Sequence, residues 1–114
     1  MRRDGSRRLV RLEAYVGRTA ETPFVRAVKR AFADALLAEI RRHRFARDEA
    51  AASGNVSRSY LQYLLKAERH ATIGTLISLA EGLGIAPEYL MAKTMEHLGR
   101  IRPLIGSEGT PPER

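Results

Sequence analysis

There is no cysteine among the 114 residues. Neither a disulfide framework nor a cysteine-ligated zinc site is therefore open to this chain. No apolar run approaches the length of a membrane span, and the basic N-terminus is not followed by the apolar stretch and cleavage signal of a secretory leader. A cytoplasmic protein is the expectation. The histidines, His43, His70 and His97, are scattered without metal-ligand spacing and read as surface residues, so no metal or cofactor is expected. No glycine-rich phosphate loop or nucleophile elbow occurs. Asp48 and Glu49 are the adjacent carboxylates, but neighbours on a helix diverge, which makes a poor acid–base pair. The chain is not expected to be an enzyme.

What the sequence does have is positive charge. Twenty Lys and Arg against thirteen Asp and Glu give a net +7, with arginine far outnumbering lysine. The planar guanidinium fork suits phosphates and guanine edges, and a small basic protein most often meets nucleic acid. The same charge also fits solubility or an acidic partner. Apolar residues make up 44% of the chain, enough for one domain with a modest core.

Three regions follow: a basic extension over 1–22, a helical domain over 23–101, and a Pro/Gly-rich tail over 102–114 that reads as flexible. In the extension, Val10, Leu12, Ala14 and Val16 alternate as in a strand, while Leu9, Leu12 and Val16 also fit a helical stripe. Val and Tyr tilt the reading toward a strand, which would need a partner such as the same strand of a second subunit.

Within the domain, Thr22 and Pro23 start a helix whose stripe is Phe24, Val28, Phe32, Leu36 and Ile40, with Lys29, Asp34, Glu39 and Arg42 off it. It should run to about Arg44, within a few residues. A short helix covers Arg47 to Ser53, and Gly54-Asn55 ends it because these residues tolerate a left-handed backbone. Ser57 caps a third helix with Tyr60, Leu61 and Leu64 on one face. Thr72 caps a fourth with Ile73, Leu76, Leu79, Ala80 and Leu83 inward, ended by Gly84. Pro87 opens a fifth, with Leu90, Met91, Met95 and Leu98 apolar, running to about Leu98 or Ile101.

A short helix, a tight turn and a second helix with a polar outer face make the recipe for a helix-turn-helix. Ala50, Ala51 and Gly54 allow a close crossing, and Val56 plugs the turn from the apolar side. The second helix can then offer its N-terminal half to a major groove.

"VSRSYLQYLL" followed by "TIGTLISLAEGLGIAPEYL" resembles the lambda-repressor-like, Cro-type helix-turn-helix regulators, over about Leu36 to Leu90. The resemblance implies an all-α, five-helix domain that binds double-stranded DNA, often as a homodimer on a palindromic site. It places Arg58, Ser59, Gln62 and Tyr63 where the family's recognition helix faces bases. It places Arg47, Ser57, Lys66, Arg69 and Thr72 where the family meets phosphates. The more ordinary readings are a solvated helix start for Arg58 and Gln62, an apolar cover for Tyr63, and a core position for Tyr60.

Three departures stand out. Leu65 replaces a usual glutamate that pairs with an arginine of the first helix, and Ile40 falls opposite, so an apolar contact stands in for an ion pair. Ala67 and Arg44 each replace a usual glycine after a helix. A sequence-specific dimeric repressor is the leading expectation. An antitoxin-like module with a protein partner, and an architectural DNA-binding protein with little base preference, are the alternatives.

Overall fold

The computed structural model describes residues 21–102. The strand or helix expected over Leu9 to Val16, with most of the basic extension and the tail, lies outside the described residues. The described chain is all-α: α1 Pro23–Arg42, α2 Arg47–Ser53, α3 Arg58–Leu65, α4 Ile73–Leu83 and α5 Pro87–Ile101. None of these helices is long and apolar enough to cross a membrane.

The caps form where the sequence puts them. The Oγ1 of Thr22 accepts from the Val25 amide at 3.1 Å, the Oγ of Ser57 from the Tyr60 amide at 3.0 Å, and the Oγ1 of Thr72 from the Thr75 amide at 3.0 Å. Each satisfies one of the amides that a helix start leaves open. Ala46, before α2, has no side chain to cap with, and Glu49 reaches back to accept from its amide at 2.8 Å instead.

One core cluster runs through all five helices. It takes Phe32, Leu36 and Ile40 from α1, Ala50 and Ala51 from α2, Leu61, Leu64 and Leu65 from α3, Leu79, Ala80 and Leu83 from α4, and Leu90 from α5. Leu36, Leu61, Leu64, Leu79 and Leu90 are essentially inaccessible, and each such burial stabilises by about 1.5–3 kcal/mol. Ile40 and Leu65 are buried in this same cluster, as the apolar replacement of an ion pair requires. A smaller cluster joins α1 to the end of α5 through Ala27, Ala31 and Leu98, with Phe24, Val28 and Ile101 half-buried around it.

Helix α1 ends at Arg42, with His43 as its C-cap, within a few residues of Arg44 as expected. The structure corrects the expectations for Ile73 and Glu39. Ile73 is 70% exposed: it is the first residue of α4, and the inward stripe begins one turn later, at Leu76. Tyr60 packs half-buried against the core on the same side as Leu61 and Leu64, as expected, and Leu65 is buried beside them. Glu39, expected off the stripe, is buried to 2%, because α5 covers that flank of α1. Its Oε2 accepts from Tyr89 Oη at 3.3 Å and from Arg42 at 3.4 Å, and His43 Nε2 lies 3.4 Å from Oε1. A buried carboxylate needs such partners to be tolerated.

Four successive helices are followed by a left-handed residue: Arg44 (φ 58°), Asn55 (φ 59°), Ala67 (φ 61°) and Gly84 (φ 79°). Gly84 takes that backbone without a side-chain clash and Asn55 tolerates it, whereas Arg44 and Ala67 do not do so readily. Gly54 itself is not left-handed (φ −85°). Its lack of a side chain serves space instead: a Cβ there would sit 2.5 Å from Leu79 Cδ2, and one on Gly82 would sit 2.5 Å from the Ser53 carbonyl. The end of α2 thus lies backbone-to-backbone on α4, and Ser78 Oγ donates to the Gly54 carbonyl at 2.7 Å.

Gly82→Ala, which improves helix propensity by about 1 kcal/mol, is expected instead to destabilise by about 2–3 kcal/mol, because the clash is with backbone. Ala67→Gly is expected to stabilise by about 1 kcal/mol by relieving the left-handed alanine. Urea unfolding of both variants beside the parent checks the pair of signs.

Candidate nucleic-acid interface

Helices α2 and α3 are joined by Gly54-Asn55-Val56-Ser57. The Val56 amide donates back to the Ala51 carbonyl at 3.0 Å, and the Val56 side chain packs half-buried against the core. Burial of Leu61, Leu64 and Leu65 fixes the rotation of α3 about its axis. Helical geometry then turns Arg58, Ser59, Gln62 and Tyr63 outward, and all four are exposed, as are Ser57 and Lys66.

The structure draws several of these side chains together. Arg47, opening α2, donates through Nη1 to Gln62 Oε1 on α3 at 3.5 Å. Arg58, opening α3, has its Nε 2.9 Å from Asp48 Oδ1 on α2. Past the end of α3, the Arg69 guanidinium stacks 4.6 Å from the Tyr63 ring centroid, a cation–π contact that ties an expected phosphate contact to an expected base contact. Tyr60 faces inward and donates through Oη to the His70 carbonyl at 3.2 Å, which anchors the loop after α3. Thr72 is occupied at the start of α4, where it also donates to Thr75 Oγ1 at 3.0 Å. Ser57 keeps its hydroxyl proton, since its cap role uses the oxygen as acceptor.

Two participants were not singled out from the sequence. Arg30 on α1 donates to the Lys66 carbonyl at 3.5 Å, adding a cation beside the C-terminal end of α3, where the helix dipole favours one. Asp48 was weighed only as half of a carboxylate pair with Glu49. In the structure the two diverge, Glu49 to the Ala46 amide and Asp48 to Arg58. The signal for Asp48 is visible only once the turn is folded, because that turn brings the first turns of α2 and α3 side by side.

The result is a convex ridge of short and planar polar side chains, flanked by Arg47, Lys66 and Arg69, on a helix held from behind by leucines. A ridge of this kind can enter a groove about the width of a helix and present hydrogen-bonding groups to base edges while cations meet phosphates on either side.

Comparison with known proteins agrees with this geometry. Residues 37–90 match the family model described as helix-turn-helix. Among solved structures, the clp gene regulator ClgR from Corynebacterium glutamicum has a similar fold, with a TM-score of 0.60 at 18% identity over 75% of this chain and 96% of that one. No curated protein matches the chain.

Because the outward side chains contribute little to the core, Arg58→Ala, Gln62→Ala and Lys66→Ala are each expected to change folding stability by less than about 0.5–1 kcal/mol. Thermal or urea unfolding checks this. A larger loss would show these residues serving the fold rather than a ligand.

Proposed function

We propose, from the match of residues 37–90 to the helix-turn-helix family model, that the chain is a sequence-specific transcriptional regulator that binds double-stranded DNA by inserting α3 into the major groove. It acts in the cytoplasm as a homodimeric repressor, occupying its site and excluding other proteins from it. The observation that carries this reading is the outward face of α3. Arg58, Ser59, Gln62 and Tyr63 are all exposed there, on a helix whose orientation the buried leucines hold.

In this reading Arg58, Ser59, Gln62 and Tyr63 meet bases, and Arg47, Ser57, Lys66, Arg69 and Thr72 meet phosphates. Phosphate contacts supply affinity and register, and base contacts supply the choice of sequence. The domain is residues 23–101, with residues 1–22 as a basic extension and 102–114 as a tail.

Dimerisation follows from reach. One recognition helix covers only a few base pairs, so a useful site takes two. Two surfaces are available for it: the segment Leu9 to Val16, outside the described residues, and α5, where Met91 (44%) and Met95 (50%) stay exposed.

Selection of bound sequences from random duplex DNA tests the reading: a sharp palindrome is expected, and no sequence preference would point to an architectural protein instead. With about five phosphates neutralised, the log–log salt slope of binding should be near −4 to −5. On the selected site, Arg58→Ala and Gln62→Ala should each lower discrimination by about 1–3 kcal/mol. Arg47→Ala and Lys66→Ala should weaken all duplexes alike and flatten the slope. Salt-independent binding would overturn the phosphate assignment, and the reverse alanine pattern would overturn the base assignment.

Deleting residues 1–18 is expected to give a folded monomer with much weaker binding to that site. Sedimentation of the truncated and full-length proteins checks this. A truncated protein that stays dimeric moves the interface to α5, and a full-length monomer on DNA would remove the dimer.

A further inference from the structure

The ion pair between Asp48 and Arg58 is unusual in its place. Both side chains are largely exposed, at 66% and 74%, so the pair adds little to folding. It also sets a carboxylate beside the first turn of α3, between side chains that the proposed reading turns toward DNA, a position that repels phosphates. A face built for charge attraction alone would omit it.

The contact is made at Nε, with Nε 2.9 Å from Oδ1. An arginine held at Nε keeps its two terminal nitrogens, and these match the O6 and N7 acceptors of guanine as a two-pronged fork. An unheld arginine spreads over many rotamers and reaches phosphates as readily as bases. A carboxylate at Nε narrows that spread and biases the fork away from neighbouring phosphates. The adjacent residue, Arg47, donates to Gln62 Oε1 at 3.5 Å, so the opening turn of α2 touches α3 at both Arg58 and Gln62.

We propose that Asp48 is a positioning residue that makes Arg58 a reader of guanine, exchanging general affinity for base choice. The proposal rests on the reading of α3 as the recognition helix. Asp48 touches no base in this scheme. It holds Nε, and the terminal nitrogens of Arg58 donate to O6 and N7 of one guanine in each half-site. The signature is a pair of effects with opposite signs, which neither a structural role nor simple charge repulsion produces. Removing the carboxylate charge should strengthen binding to unrelated duplexes and weaken the preference for guanine.

The test uses full-length protein. Duplex selection from a random pool is run for the parent and for Asp48→Asn, followed by affinity measurements on the selected site, on that site with adenine in place of the guanine, and on an unrelated duplex. The parent is expected to select a guanine in each half-site that Arg58→Ala no longer selects. Asp48→Asn is expected to lose about tenfold of its guanine-over-adenine ratio, within the range that one bidentate pair provides, while binding the unrelated duplex several-fold more tightly. In an Arg58→Lys background, which lacks the fork, Asp48→Asn should leave the ratio unchanged.

If Asp48→Asn tightens all three duplexes by one common factor and keeps the full guanine ratio, Asp48 is only a repelling charge and the proposal is overturned. A selected site in which no position depends on Arg58 overturns it equally. Failure of the parent to bind any duplex would overturn the reading of α3 itself, and is thereby distinguished from both.

Discussion

The close approach of two backbones, the end of α2 against the last turns of α4, is the constraint on which the arrangement depends. It is possible because Gly82 leaves room for the Ser53 carbonyl and Gly54 leaves room for Leu79. Ser78 then closes the contact by donating to the Gly54 carbonyl at 2.7 Å. Seated in this way, α2 has one direction in which to turn, through the left-handed Asn55. The half-buried Val56 closes the core side of that turn. The orientation of α3 is therefore set from two sides, by the seat of α2 and by the leucines that α3 itself buries. Its outer residues make only exposed contacts with their neighbours, which add little to that hold.

The second organising feature is α1, the longest helix, against which α5 packs along most of its length. Small side chains, Ala27, Ala31 and Ala35, make the approach close, and the polar knot of Glu39, Arg42 and Tyr89 sets its register. A buried carboxylate is a weak source of stability, but Tyr89 and Arg42 both donate to its Oε2, which ties α5 to α1 at this point. Apolar packing alone would tolerate α5 sliding by part of a turn. With Glu39 in place, such a slide would leave a buried charge short of a partner.

Much of this was legible in the sequence because it rests on local rules. Thr22, Ser57 and Thr72 are caps, Pro23 and Pro87 open helices, and the spacing of Tyr60, Leu61 and Leu64 marks an inward face. The outer face of α3 could be read because it is the complement of that buried face. What escaped depends on contacts between residues distant along the chain. Glu39 looked like a surface residue because its burial is imposed by α5, fifty positions away at Tyr89. Gly82 drew no reading from the sequence, and only the path of α2 shows why nothing larger fits there. The left-handed backbone was expected of the Gly54-Asn55 pair, and Asn55 carries it, since sequence marks the turn but not which of two adjacent residues takes the unusual angle. Asp48 became visible as a partner of Arg58 only when the turn was closed.

The carboxylate beside Arg58 also bears on time. A regulator finds its site by sliding and hopping along sequences that are not its own, held there by its cations. Each net positive charge on the contacting face lengthens every such stop. On the proposed reading, a negative charge beside Arg58 would shorten the stops on wrong sequences, while on the right one the oriented arginine would restore the dwell through slower release. In a chain of net charge +7, one well-placed aspartate would let the search stay fast without giving up the grip at its end.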